Sequence, residues 1–328
     1  MALKWGIAST GKIANDFVTA LKSLSQKEHQ VVAVAARSLD SSEEFAKNHK
    51  IPNAYEGYVN LATDPKVQVV YIGVLNPQHY DVAKLMLQHN KHVLVEKPLT
   101  LNEKQTRSLI ELARNKKLFL MEAVWSRFFP VYKEVAKLIK NGIIGDVRFV
   151  SVTFGFPISD VPRVTQKNLG GSATLDIGVY ILQFQQLIFR GLKPESIVAA
   201  GHLNNEKVDV TASAIFKYPD NKTAVVTCDA TAEMPNEGLI VGTKGVIKIP
   251  KFWAPTSYKL NEEIKEFPLI ENEGKFNYFN SAGLAYQAME VRQKILEGKI
   301  ESDIMPHEES IQLANWMDFV RSEIGADV

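Results

Sequence analysis

Disulfide bonding is the first thing this chain lacks the means for. Among its 328 residues there is one cysteine, Cys228, which excludes an internal disulfide and fits a reducing compartment. The surrounding KTAVVTCDAT alternates like a strand, so the thiol reads as buried and inert. Long apolar runs are missing as well. None reaches transmembrane length, and the opening MALKWGIAST holds no signal-peptide core. The closing GADV matches no lipidation or retention signal. The expectation is a soluble, cytosolic protein. Neither sign of charge dominates: 38 Lys and Arg face 37 Asp and Glu, for a net charge of +1. Nothing general therefore points to nucleic acid or to an anionic membrane as partner. No metal site suggests itself either, because His89 and His92 have no Cys or acidic partners at ligand spacing. Repeats and low-complexity tracts are absent.

What remains is an ordinary globular composition, 45% hydrophobic and 23% charged, in a chain long enough for two domains. The first ~120 residues alternate strand and helix. Strands are expected at 3–8, 31–36, 67–74, 92–96 and 118–121, with helices at 12–24, after a Ser41/Glu44 capping box, after Asn76-Pro77, and at 102–115. Val82, Leu85 and Met86 would face the core. Such alternation means βαβ units and a doubly wound parallel sheet, hence an α/β fold. The pattern changes near residue 123. A helix at 130–140 stops at Asn141-Gly142. Longer alternating strands follow at 147–154, 196–202, 208–217 and 222–230, and VGTKGVIKI reads as a turn feeding another. These imply a second, α+β domain with a large, mostly antiparallel, open-faced sheet. Helices at 283–297 and 306–323 end the chain. The expected division is 1–123 and 124–328.

Two phosphate motifs compete in GIASTGKIA, residues 6–14. Gly6 to Lys12 fits the start of a P-loop, but Ile13 stands where a hydroxyl must meet magnesium. The dinucleotide fingerprint reads Ser9-Thr10-Gly11-Lys12-Ile13-Ala14, with Ser9 replacing the first glycine. Its strand–turn–helix setting suits phosphate at a helix amino end; the alternative is an ordinary tight turn. The second strand ends Ala36-Arg37-Ser38, with no acid to grip a ribose 2′-hydroxyl. Arg37 could instead pair with a 2′-phosphate, Ser38 adding a hydrogen bond, which favours NADP. The alternative is a solvated arginine.

The fourth of the read strands runs HVLVEKPLT, 92–100. It brings Lys97 to a carboxyl strand end, where open α/β sheets bind ligands, and Pro98 holds the backbone extended. A plain surface lysine is the other reading. In NLGGSATLDIGVYILQFQQLIF, 168–189, Asp176 and Tyr180 are four apart on a helix, a candidate proton relay. Alternatively they are an exposed acid and a tyrosine tip at a domain boundary. Gly178 within that helix suggests close approach by a ligand or a backbone.

Taken together, the Gly11 turn, EKP at 96–98 and GGSATLDIGVY at 170–180 resemble the Gfo/Idh/MocA oxidoreductase family along the whole chain. The resemblance implies an NADP-dependent enzyme that moves a hydride between a secondary alcohol, of a sugar or a cyclic diol, and nicotinamide. It implies Lys97 as catalytic lysine, Tyr180 as acid/base and Asp176 as a group that holds a substrate hydroxyl or helps orient the pair. Ser9, Thr10, Gly11, Lys12, Ile13, Arg37, Ser38, Leu75, Asn76, Pro77, His79, Glu96, Lys97 and Arg127 would contact the cofactor. Trp125, Phe154 and Phe279 would wall the substrate pocket with Asp176 and Tyr180. The Lys97 ammonium would favour the Tyr180 phenolate and steady an alkoxide. A homodimer through the second sheet is implied too. Ser9 for Gly, and Ser41 and His202 where relatives carry arginine, are departures. A reductase of a sugar carbonyl compound and a non-catalytic cofactor sensor are the rival readings.

Overall fold

The computed structural model describes residues 2–326, so the last two residues of the GADV tail lie outside it. The elements are β1 (Leu3–Ala8), α1 (Lys12–Leu21), β2 (His29–Ala36), α2 (Leu39–His49), β3 (Asn53–Glu56), α3 (Tyr58–Thr63), β4 (Val69–Ile72), α4 (His79–Gln88), β5 (His92–Glu96), α5 (Glu103–Lys116) and β6 (Leu120–Ala123). They continue as α6 (Pro130–Lys140), β7 (Val147–Gly155), α7 (Pro162–Thr165), α8 (Val179–Ile188), β8 (Ser196–Leu203), β9 (Asp209–Tyr218), β10 (Lys222–Asp229), β11 (Glu237–Gly242), β12 (Val246–Pro250), β13 (Ser257–Leu260), β14 (Glu263–Glu266), α9 (Leu284–Leu296) and α10 (His307–Glu323).

By compactness the chain forms two units, and the division is not a single cut. Of the described residues, the first comprises 2–100, Lys104–Phe128 and Leu269–Ser310; the second comprises Leu101–Glu103, Phe129–Pro268 and 311–326. Residues 269–310 thus return to the first unit, which composition alone did not reveal.

The first unit holds a six-stranded sheet in the order β3-β2-β1-β4-β5-β6, parallel throughout. All four residues of β4 and of β6 are buried, as expected of strands covered on both faces. Trp5, Phe17 and Tyr71 centre this core, the rings of Phe17 and Tyr71 stacked at 3.9 Å. The strand β3 escaped the sequence reading: NAYE is short, only half-buried and carries no apolar run. Two caps fall elsewhere than expected. Ser38, not Ser41, opens α2, its side chain accepting the Ser41 N–H. Asn76 is not a cap but begins a 3₁₀ turn, Asn76–Gln78, with Pro77 inside it. On α4, Val82 and Met86 are buried while Leu85 is only half-buried.

The second unit holds an eight-stranded sheet, β14-β13-β12-β11-β7-β10-β9-β8, antiparallel except for the β7–β10 pair. Its strands alternate, β9 burying Ala212, Ala214, Phe216 and Tyr218 between exposed neighbours. Trp316 of α10 meets Phe216 edge-on at 5.2 Å, covering the inner face. The outer face leaves Val198 65% and Ile215 50% exposed. Among the described residues no helix is long and apolar enough to cross a membrane.

Candidate active site

Strand order reverses at β1, whose neighbours β2 and β4 lead away to opposite sides, and ligands of such sheets bind at that point. The chain leaves β1 through Ser9 and Thr10, and Gly11 caps α1. Gly11 has φ −75°, which any residue adopts, and an added Cβ would meet only Ser9 Oγ, at 3.3 Å. The fold itself therefore does not require glycine there. A ligand pressed against the backbone would require it, and a pyrophosphate is a ligand of that kind. Ser9, at the first fingerprint position, has φ +141°. It adopts the backbone normally left to glycine and accepts the Gly11 N–H at 3.0 Å. Lys12 is exposed, Thr10 and Ile13 half-buried. Gly6 lies inside β1, paired with Ala33 and Val70. A P-loop glycine must sit in the loop, so that reading fails on position as well as on Ile13.

Arg37 and Ser38 follow β2 and are exposed. The Ser38 hydroxyl donates to Ser41 Oγ at 2.9 Å as well as capping α2. Tyr58, unnoticed in the sequence, lies within electrostatic reach of Arg37; burial raises its pKa and the guanidinium opposes that.

At the end of β5 Lys97 is half-buried, and its peptide bond to Pro98 is cis. Glu96 is buried beside it. One carboxyl oxygen accepts the Tyr71 hydroxyl at 2.7 Å, the other the Lys97 N–H at 3.3 Å. Burial pushes the Glu96 carboxyl up to about 7, against the pull of Tyr71 and Lys97. Glu122 of β6, also buried, is likewise raised by burial; it accepts the Leu99 N–H at 3.0 Å. Two carboxyls thus lie in the low-dielectric floor around Lys97. His79 faces two carbonyls, Pro98 O at 2.7 Å and Val74 O at 3.1 Å. Two acceptors would suit an imidazolium, but burial outweighs them and holds its pKa at about 4. A neutral ring donating to Pro98 follows, tying the Lys97 loop to the 74–79 loop. Leu75, Asn76 and Pro77 of that loop are half-buried.

Trp125 and Arg127 lie in a 3₁₀ turn, Trp125–Phe128, after β6 and are buried. The Arg127 guanidinium pairs with Glu309 and donates to Ile304 O. Phe279, in the same unit, is 45% exposed.

In the second unit Ser172 begins the helix that carries Asp176 and Tyr180. Its side chain accepts the Leu175 N–H at 3.0 Å, while buried Asp209 accepts that of Thr174 at 2.7 Å. The helix opens as a π turn, Thr174–Gly178, before continuing as α8, so α-helical spacing does not strictly apply to Asp176 and Tyr180. Both are buried, which removes the exposed-acid alternative. Asp176 pairs with Arg163 of α7 at 2.5 Å, a partner that no local pattern announced. Tyr180 meets Phe154 of β7 edge-on at 5.4 Å, and Trp253, also missed, lies 4.7 Å from Phe154. Gly178 is explained by a side chain rather than by a ligand or backbone: a Cβ there would lie 3.2 Å from Cys228 Sγ. That thiol is buried and its pKa raised by burial, so it is inert as expected. Among the described residues no His, Cys, Asp or Glu cluster could hold a metal ion.

Residues 3–124 match an oxidoreductase family with an NAD-binding Rossmann fold, and residues 132–248 match the GFO/IDH/MocA C-terminal domain. Trans-1,2-dihydrobenzene-1,2-diol dehydrogenase from Xenopus laevis is 47% identical over 99% of both chains. The protein of that name from Homo sapiens is 41% identical over 99% of this chain and 98% of its own. Among solved structures, a 3-ketoreductase from Actinomadura kijaniata, in complex with NADP and TDP-benzene, superposes with a TM-score of 0.84 at 24% identity, covering 99% and 98% of the two chains. Levoglucosan dehydrogenase, in complex with NADH and levoglucosan, gives 0.85 at 17% identity over 98% and 97%. These two likenesses speak to the fold.

Proposed function

The chain belongs to the Gfo/Idh/MocA oxidoreductase family and acts on CH–OH groups, and from that premise we propose an NADP-dependent dehydrogenase of a cyclic trans-dihydrodiol or of D-xylose. The observation that carries this reading is Lys97: a half-buried cation at the end of β5, in the sheet whose β1 leads into the open Gly11 turn. NADP rather than NAD follows from Arg37 and from the lack of an acid at the end of β2.

A bound nicotinamide would supply the hydride acceptor. Gly11 and its neighbours Ser9 to Ile13 receive the pyrophosphate; Arg37 and Ser38 take the 2′-phosphate. The loop of Leu75, Asn76 and Pro77, which His79 ties to Pro98, lines the rest. Tyr180, as the phenolate that the Lys97 ammonium favours, takes the hydroxyl proton and becomes the neutral phenol. The Lys97 ammonium holds the substrate oxygen and steadies the charge that develops on it. Asp176, oriented by Arg163, holds a second hydroxyl. Trp125, Phe154 and Phe279 present faces suited to a ring. Glu96 and Arg127 act from below, one beneath Lys97 and the other through the turn that bears Trp125. In functional terms 1–123 serves the cofactor, while 124–328 serves the substrate and dimer formation through the outer sheet face that exposes Val198 and Ile215. The relatives named as dihydrodiol dehydrogenases support the diol. The protein works in the cytosol.

The test is absorbance at the NADPH band with NADP⁺ and a trans-dihydrodiol or D-xylose. Wild type should give a rise that Lys97→Met lacks by about 1000-fold or more, while NADPH binding changes little. Turnover that survives in Lys97→Met removes Lys97 from the mechanism. NADPH binding without turnover of either substrate leaves the cofactor reading and sends the search to a sugar carbonyl compound.

A further inference from the structure

Residues 272–280 run back along α1, the helix whose amino end begins at Gly11. Near the far end of the helix, Asn272 Nδ2 donates to Thr19 O at 2.8 Å. Gly274 lies so flush that an added Cβ would come within 2.2 Å of Thr19 Cγ2. At the first turn, Asn277 Nδ2 donates to Lys12 O at 3.3 Å. The strap therefore travels toward the phosphate end of the helix.

Asp16 pins it there. Its side chain is on the buried face of α1 and fully shielded from solvent. Asp16 Oδ1 accepts the Asn277 N–H at 2.9 Å, Asn277 Nδ2 at 2.7 Å and Asn15 Nδ2 at 3.1 Å; Oδ2 accepts the Tyr278 N–H at 2.9 Å. A buried carboxylate must have its lone pairs filled, and a segment some 260 residues away fills most of them. The same donors mask a negative charge one turn from the backbone that would face a pyrophosphate. Just beyond the pin come Tyr278 and Phe279, 42% and 45% exposed. Two large aromatic rings are thus held half in solvent at the anion-binding end of a helix.

We propose that the 272–280 strap forms a wall of the dinucleotide site, with Asp16 as the positioning residue that sets Tyr278 and Phe279 beside the bound cofactor. The proposal rests on the reading of α1 as the cofactor helix. Asp16 itself touches no ligand.

The experiment is NADPH titration by fluorescence, together with hydrogen exchange of residues 272–280 with and without NADPH. Wild type should show slower exchange in the strap on binding. Asp16→Asn keeps the shape but aims an amide at several N–H donors; it should weaken NADPH binding about tenfold and abolish the ligand-dependent slowing. Asn277→Ala removes only side-chain bonds and should weaken binding about threefold; it decides the matter if Asp16→Asn does not fold. A structural tie alone would lower the melting temperature while leaving NADPH affinity within about twofold and strap exchange blind to the ligand, and that result overturns the proposal. A wild type that binds neither NADPH nor NADH overturns the cofactor reading first and this inference with it.

Discussion

The two sheets handle polar groups in opposite ways. The parallel sheet is buried on both faces along β4, β5 and β6, so these strands are mostly apolar and polar side chains gather where they end. There they are costly and consequential: Glu96 and Glu122 are buried and raised, with Lys97 between solvent and that floor. The antiparallel sheet has one wet face, where Ser213 and Thr227 share a hydrogen bond at 3.0 Å beside exposed Ile215. A polar residue on that face is ordinary. In the first sheet polarity marks chemistry; in the second it marks only which side faces water.

The sharpest way to break the comparison is to place the same charge in each sheet. Val95→Asp, at a fully buried position of β5, should cost about 4 kcal/mol or more of stability. Val198→Asp, 65% exposed, should stay within about 0.5 kcal/mol by denaturant unfolding, and sedimentation should show whether it weakens a dimer. Equal losses would refute the one-wet-face description. A finer probe is the pH dependence of Glu96. Its folded pKa, raised to about 7, means the native state holds a proton that the unfolded chain releases near 4.5. Its contribution to stability is full below about 4.5 and is lost as pH rises through about 7, on the order of 3 kcal/mol. His29, His49 and His79, held at about 4, act in the opposite direction: their contribution is lost as pH falls from 6.5 through 4. The difference between wild type and Glu96→Gln isolates the carboxyl, and a flat difference across pH 4.5 to 7 would mean Glu96 is ionised as usual. The smallest effect belongs to Ser9. Relief of φ +141° in Ser9→Gly should stabilise by about 1 kcal/mol or less, since the hydrogen bond to the Gly11 N–H and some chain stiffness are lost. A drop in melting temperature would show that the hydroxyl matters more than the strain.

Much of the architecture was legible in periodicity. The bounds expected for β1, β5 and α6 are the observed ones, because Leu3–Ala8 and HVLVE are apolar runs with clear ends and Pro130 and Asn141-Gly142 mark start and stop. The open-faced second sheet followed from alternation. What was not legible has little local signal: β3 has no apolar run, and β14, EIKE, is exposed at every position. At the candidate site, the glycine turn, Lys97, Asp176 and Tyr180 stood out by residue type and spacing. Tyr71 under Glu96, Arg163 on Asp176, Asp209 at the helix start and Trp253 beside Phe154 did not.

By itself, then, the sequence determined the two sheet types, because hydrophobic period reports how many faces of a strand are dry. It also settled the family, because Gly11, EKP and GGSATLDIGVY are short motifs read in place. Only the tertiary structure decided that 269–310 folds with the first unit, that Ser9 adopts a glycine-like backbone and that Asp16 is filled by Asn277 and Tyr278. Those depend on which distant groups desolvate each other, and a buried carboxylate takes its donors from whatever part of the chain is packed against it.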